Sequence, residues 1–311
     1  MELFKKTPNL NFMAQRVWAF WLSGILVAVS ALLLGFKGLN LGLDFTGGVQ
    51  LTANCASEPN YANLRAYLAS LKVVASVQRV SAEGQLVIRA KMPKGMEASE
   101  LAAKVVKQLP AKSRIEQVAR IGGQASKQML LDGFIAAIIA LIGTIIYVAV
   151  RFEWHFGLAA AIALFHDPMI ILGVFSVTGL EFDLIALVAV LTIIGYSLND
   201  TIVIYDRARE NFFKYPRLDA DAVLNLSVNQ TLSRTIMLSG TTLAVVVSML
   251  VLGGALLKGF SVALLVGIIV GTYSSVYIAG SLALTLGLSR AALTSRADNW
   301  FTRPSSRGQD Y

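Results

Sequence analysis

The sequence predicts an α-helical polytopic membrane protein, with six spanning helices and a small α+β domain between the first and the second. Three observations carry that reading. Of 311 residues, 55% are hydrophobic and only 15% are charged, with a mean hydropathy of +0.63. Six apolar stretches reach the about 20 residues that a helix needs to cross a hydrocarbon core. One segment of ordinary polarity, residues 37–129, separates the first stretch from the other five.

The apolar stretches are 17–36, 130–150, 156–179, 184–205, 235–257 and 260–288. Lys5, Lys6 and Arg16 before the first also fit a signal peptide, but its apolar core is too long. The following GFKGLNLGLDF offers no small-x-small cleavage site, so the helix is expected to be retained. Thirteen cations fall on one side: three in the arm 1–16, Arg151, five from Arg207 to Arg234, and four in the tail 289–311. The short loops opposite hold a single cation, Lys258. Both termini and an amphipathic loop at 206–234 are therefore expected in the cytoplasm, with 37–129 on the opposite side of the membrane. The net charge of +8 follows from topology and a basic outer domain, and it does not imply nucleic acid.

Within 37–129, apolar alternation and β-branched residues predict strands at 49–54, 76–81, 85–91 and 115–121. Helical spacing appears at 61–71 and 99–109, with Ser99 expected to cap the second helix. The resulting order, β-α-β-β-α-β, is ferredoxin-like. The lone Cys55 has no internal disulfide partner and reads as a half-buried thiol.

No enzyme signature is present: His155 and His166 do not make a zincin motif, and GGALLKG at Gly253 lacks phosphate-loop spacing. No cofactor is expected. The chemistry-bearing residues lie instead in the membrane. Asp200, 17 residues past Asp183, is about 25 Å deep, where a carboxylate costs roughly 3 kcal/mol or more. Arg234 precedes the fifth span at a similar depth, in position for an ion pair if the helices continue through the loop. Otherwise it is a snorkelling positive-inside residue. In the third span, His166 and Asp167 suit either proton relay or a structural polar pair, and Pro168 frees backbone carbonyls beside them. Gly195, Ser197, Asn199 and Thr201, together with the hydroxyl residues from Ser233 to Thr242, allow close helix approach and hydrogen bonding. Gly267 and Gly271 form a small-xxx-small packing face in the last span.

Four segments together resemble the SecF family of bacterial protein export: LGLDFTGG at 41–48, the HD pair at His166, GYSLNDTIVIYDRAREN at 195–211 and TLSRTIMLSGTTL at 231–243. The resemblance covers nearly the whole chain in order. It implies membership of the resistance, nodulation and division superfamily, pairing with SecD as pseudo-symmetric halves, and use of the proton-motive force to draw preprotein from SecYEG after SecA has acted. YajC, YidC and membrane lipid are further implied partners. By motif, Asp200 and Arg234 resemble residues required for proton passage, and Asn199, Thr201, His166 and Asp167 join that pathway. Asp44, Phe45, Gly47 and Gly48 would couple the outer domain to the membrane core, with Gly42, Gly47 and Gly48 allowing an unusual turn. Pro168 departs from the family pattern, in which an aliphatic residue commonly follows HD. Two other classes remain open, a small-molecule or lipid exporter half of the same superfamily and a non-transporting assembly subunit.

Overall fold

The computed structural model describes residues 8–79, 84–91 and 96–289. Residues 1–7, the end of the second expected strand at 80–81, and the tail beyond Ser289 lie outside the described residues. A 3-10 turn, Met13–Gln15, leads into α1 (Arg16–Phe36). A two-residue strand β1 (Asn40–Leu41) and a one-turn helix α2 (Leu43–Thr46) follow. The α+β domain comprises β2 (Gly48–Asn54), α3 (Tyr61–Ser70), β3 (Val74–Arg79), β4 (Gln85–Lys91), α4 (Ala98–Val106) and β5 (Arg114–Ile121). The rest is α5 (Gly123–Arg151), α6 (Trp154–Thr178), the short strand β6 (Glu181–Phe182), α7 (Leu184–Lys214) and α8 (Ala220–Leu252). Last come α9 (Gly254–Tyr273), a π-helical segment (Ser274–Ala279) and α10 (Gly280–Thr285), which together make one span. Among the described residues, six helices are long and apolar enough to cross a membrane, so the fold class read from the sequence is borne out.

The sheet order in the α+β domain is β3-β4-β2-β5, antiparallel throughout. Alternation sets its face: Val49, Leu51 and Ala53 are fully buried, whereas Gln50 and Thr52 are not. Against that face α3 packs Leu64 and Leu68, and α4 packs Leu101 and Val105. The β-α-β-β-α-β order with the first strand central is the ferredoxin-like arrangement. Asn60 caps α3 by accepting from the Asn63 amide at 3.0 Å. Ser99 does not cap α4. Glu97 occupies the cap position, and the Ser99 hydroxyl, inside the first turn, donates to Glu97 Oε2 at 3.4 Å.

The expected loop at 206–234 is almost entirely helical, because α7 continues to Lys214 and α8 already begins at Ala220. Tertiary packing carries both helices past their apolar stretches. Ala208 and Phe212 are buried in one cluster with Val223, Leu224 and Val228. Asn211 donates to Ser227 and Gln230 at 2.9 and 2.8 Å. The start of α8 also receives the N-terminal arm: Asn229 exchanges hydrogen bonds with the Leu10 backbone, and Arg16 pairs with Asp221 at 2.8 Å.

Two apolar clusters hold the bundle. Phe45, Phe175, Phe182, Ala186 and Ile193 pack at the end near the α+β domain. Phe152, Phe156, Tyr205 and Phe212 pack at the other. The polar residues of α7 lie between them.

Candidate functional site

Asp200 sits on α7 between Ile193 and Ile204, two buried members of the opposite clusters. It is 2% exposed, and its Oδ2 has no hydrogen-bond partner. Among the described residues, Arg234 is the base whose charge acts on it. The two nevertheless form no ion pair within 4.0 Å, since Arg234 is exposed on α8. Asn199 is exposed as well, turned away from the interior that its neighbours Asp200 and Thr201 occupy.

Asp167, 1% exposed on α6, is solvated quite differently. Its Oδ1 lies 2.8 Å from His166 Nδ1, and its Oδ2 accepts from Ser197 at 2.5 Å and Ser274 at 3.0 Å. Helix α6 continues through Pro168, so the proline does not end it. The Nε2 of His166 is buried without a partner.

Hydrogen bonds lead from this knot to the residue beside Asp200, by way of the Ser197 backbone carbonyl. Ser275 donates to the Ser197 carbonyl at 3.1 Å, and its Oγ lies 2.9 Å from that of Thr201, the residue after Asp200. Ser274 and Ser275 belong to the π-helical segment, where the wider turn lets consecutive side chains serve Asp167 and Thr201 respectively. Tyr205 donates to the Ala279 carbonyl at 3.1 Å, supplying a partner where the α-helical ladder is broken. Neither serine was singled out from the sequence; the signal was the polar run Tyr-Ser-Ser inside an apolar span. Close approach makes the contacts possible. A Cβ on Gly267 would stand 2.4 Å from Ile193 Cγ1, and one on Gly271 3.0 Å from Ser197 Cβ, so α9 lies directly on α7.

A second constellation joins the α+β domain to the bundle. Gly47 (φ 74°) and Gly48 (φ 152°) turn the chain in conformations that favour glycine. A Cβ on Gly48 would meet the Ala90 carbonyl oxygen at 2.4 Å. Gly42 has an ordinary φ of −68°, and its role is close approach, with Asp183 Cβ 3.0 Å from where its own Cβ would be. Asp44 Oδ2 accepts from the Leu184 amide at 3.0 Å, and Asp183 Oδ1 from the Ala186 amide at 2.8 Å. Two carboxylates thus cap the helix that carries Asp200. Phe45 stacks on Phe182, and β1 pairs in parallel with β6. Arg89 of β4 completes the junction, 3.6 Å from Glu181 and 3.5 Å from Asp183. Burial raises the pKa of Glu181, opposed by Arg89. Arg89 and Glu181 gave no sequence signal because their partners are distant in the chain. Among the described residues, no group of three or more His, Cys, Asp or Glu is placed to hold a metal ion.

Residues 101–289 match the family "Protein export membrane protein SecD/SecF, C-terminal", and residues 32–54 match "SecD/SecF GG Motif". The protein translocase subunit SecF of Vibrio alginolyticus is 37% identical over 297 residues, covering 94% of this chain and 94% of that protein. The chain belongs to the SecF family. A second SecF, from Desulfurispirillum indicum, is 40% identical over 287 residues and covers 88% of this chain and 90% of its own. The crystal structure of SecDF from Thermus thermophilus, a translocon-associated membrane protein, superposes with a TM-score of 0.80 at 33% identity. It covers 91% of this chain, which spans 39% of the solved chain. SecDF in its super-membrane-facing form gives a TM-score of 0.68 at 32% identity. The GG motif of the family is the segment that turns at Gly47 and Gly48. The chain is accordingly a multi-pass bacterial inner-membrane protein of translocase-subunit type.

Proposed function

We propose that this SecF-family chain pairs with SecD and uses the proton-motive force to promote preprotein translocation, with Asp200 as the group that takes up and releases the proton. The observation that carries the reading is Asp200 Oδ2, buried at mid-span with no donor, next in sequence to Thr201, whose contacts with Ser275 and the Ser197 carbonyl join the helix segment that also serves Asp167. Among the described residues the field on a charge there comes from Arg234, whereas Asp167 has two hydroxyl donors on Oδ2 and the His166 imidazole on Oδ1. Protonation of Asp200 removes its attraction for Arg234, and the α7–α8 packing shifts. The shift reaches the periplasmic domain through the Asp44 and Asp183 caps on α7, and release of the proton to the cytoplasm resets the cycle. One charge crossing 100 mV gains about 2.3 kcal/mol, and a tenfold proton gradient adds about 1.4.

The cation distribution supports cytoplasmic termini and a periplasmic α+β domain. On family grounds the further partners are SecYEG, YajC, YidC and the preprotein, and this step follows SecA. No bound cofactor enters the scheme. The test is Asp200→Asn in the complex with SecD, reconstituted in proteoliposomes. Proton-dependent export should be lost while co-purification with SecD is unchanged; normal export by the variant overturns the proposal.

A further inference from the structure

A cavity of about 560 Å³ lies between α5, α6 and α7 in the half of the bundle nearest the α+β domain, and every residue lining it is apolar. It opens sideways, since Phe134, Ile138 and Phe165 in its wall remain exposed. Its origin is a pair of contacts that pin α5 at both ends. Near the domain, a Cβ on Gly133 would stand 2.6 Å from Leu187 Cδ2; at the far end, one on Gly157 would stand 3.5 Å from Ala149 Cα. Between these pins α5 offers the small Ala137, and a gap remains.

The wall on α5 runs from Leu130 to Leu141, about 16 Å along the helix axis. That matches the hydrocarbon depth of one leaflet, about 15 Å or half the core. A cavity without polar partners does not hold water, so its natural occupant is hydrocarbon. Cations mark its mouth. Lys127 lies one turn beyond Leu130 on the same face of α5. Lys37 stands two residues before the lining residue Leu39, held at the end of α6 by donating to the Val177 carbonyl at 2.9 Å.

We propose that this cavity seats one acyl chain of an anionic phospholipid from the leaflet nearest the α+β domain, with the lipid phosphate against Lys127 and Lys37. The seated chain touches both functional constellations: Phe45 and Phe182 of the junction line one end, and Pro168, next to Asp167, lines the side.

The test reconstitutes the full chain, in its native complex, into vesicles containing phosphatidylglycerol with a diazirine in the acyl chain, and maps the photolabel by mass spectrometry. Labelling at 164 and 168–172 should exceed that at the bilayer-facing Ile135 and Ile139 by about tenfold. Ala137→Trp, which fills the cavity, should abolish the excess. Lys127→Gln, an exposed change that leaves packing intact, should lower labelling by this probe but not by phosphatidylcholine carrying the same diazirine. Even labelling around α5, or an excess unchanged in both variants, identifies ordinary annular lipid and overturns the proposal. Cross-linking of the cavity residues to a protein segment in place of lipid overturns it too.

Discussion

Two aspartates in the bundle interior are served in opposite ways. Asp167 has an imidazole on one oxygen and two hydroxyls on the other; Asp200 Oδ2 has nothing. Removing donors from a satisfied carboxylate exposes its full desolvation cost, so Ser197→Ala with Ser274→Ala should destabilise the protein by about 1–3 kcal/mol per lost donor. Asp200→Asn, which breaks no hydrogen bond to Oδ2, should leave thermal unfolding in detergent nearly unchanged. Equal losses in both variants would contradict this division of roles. At the junction, burial lifts the titration of Glu181 above its ordinary 4.5. In the window just above that value the folded state holds more protons than the unfolded one, so this group's contribution to stability falls as pH rises through it. Glu181→Gln should flatten that part of the stability profile, as followed by unfolding of wild type and variant at stepped pH. The sequence revealed the aspartates because charge in an apolar span is conspicuous. Asp44 as a cap for Leu184, 140 residues away, left no such mark, since either residue alone is ordinary.

At the scale of elements, hydropathy located the six spans and alternation located the strands, because each is a local pattern that burial enforces. The helical continuations to Lys214 and from Ala220 were hidden by their polar composition. Asn211, Ser227 and Gln230 find partners in each other across the two helices. The π-helical segment is illegible for a related reason: its extra residue per turn is held by Asp167, Thr201 and Tyr205 from neighbouring helices. Those contacts require α9 and α7 to touch. Gly267→Leu should force the pair apart at Ile193 and abolish export without preventing membrane insertion, to be read by export assay and by carbonate extraction. Normal export by this variant would mean that the close approach is dispensable.

Across the whole molecule, the α+β domain meets the bundle where α7 begins, and Arg89 bridges Glu181 and Asp183 there with 15% of its side chain exposed. Removing that base leaves two carboxylates facing each other, at about 1–3 kcal/mol, less than the about 3–5 of a fully buried pair. Arg89→Gln should therefore reduce export while the domain stays folded, and Arg89→Lys should restore part of it. Unchanged export in the glutamine variant would show that the bridge does not transmit motion.

The register of the sheet has an architectural consequence. Gly48, where the chain enters the domain, pairs directly with Ile121, where it leaves, so the two ends stand about 5 Å apart. Covalently the domain is a cassette inserted at one place in the chain, the arrangement in which nature tolerates insertion and exchange of modules. Replacing residues 49–120 with a few glycines should close the gap without parting α2 from α5. The result would be a bare six-helix bundle, ready to accept a different head.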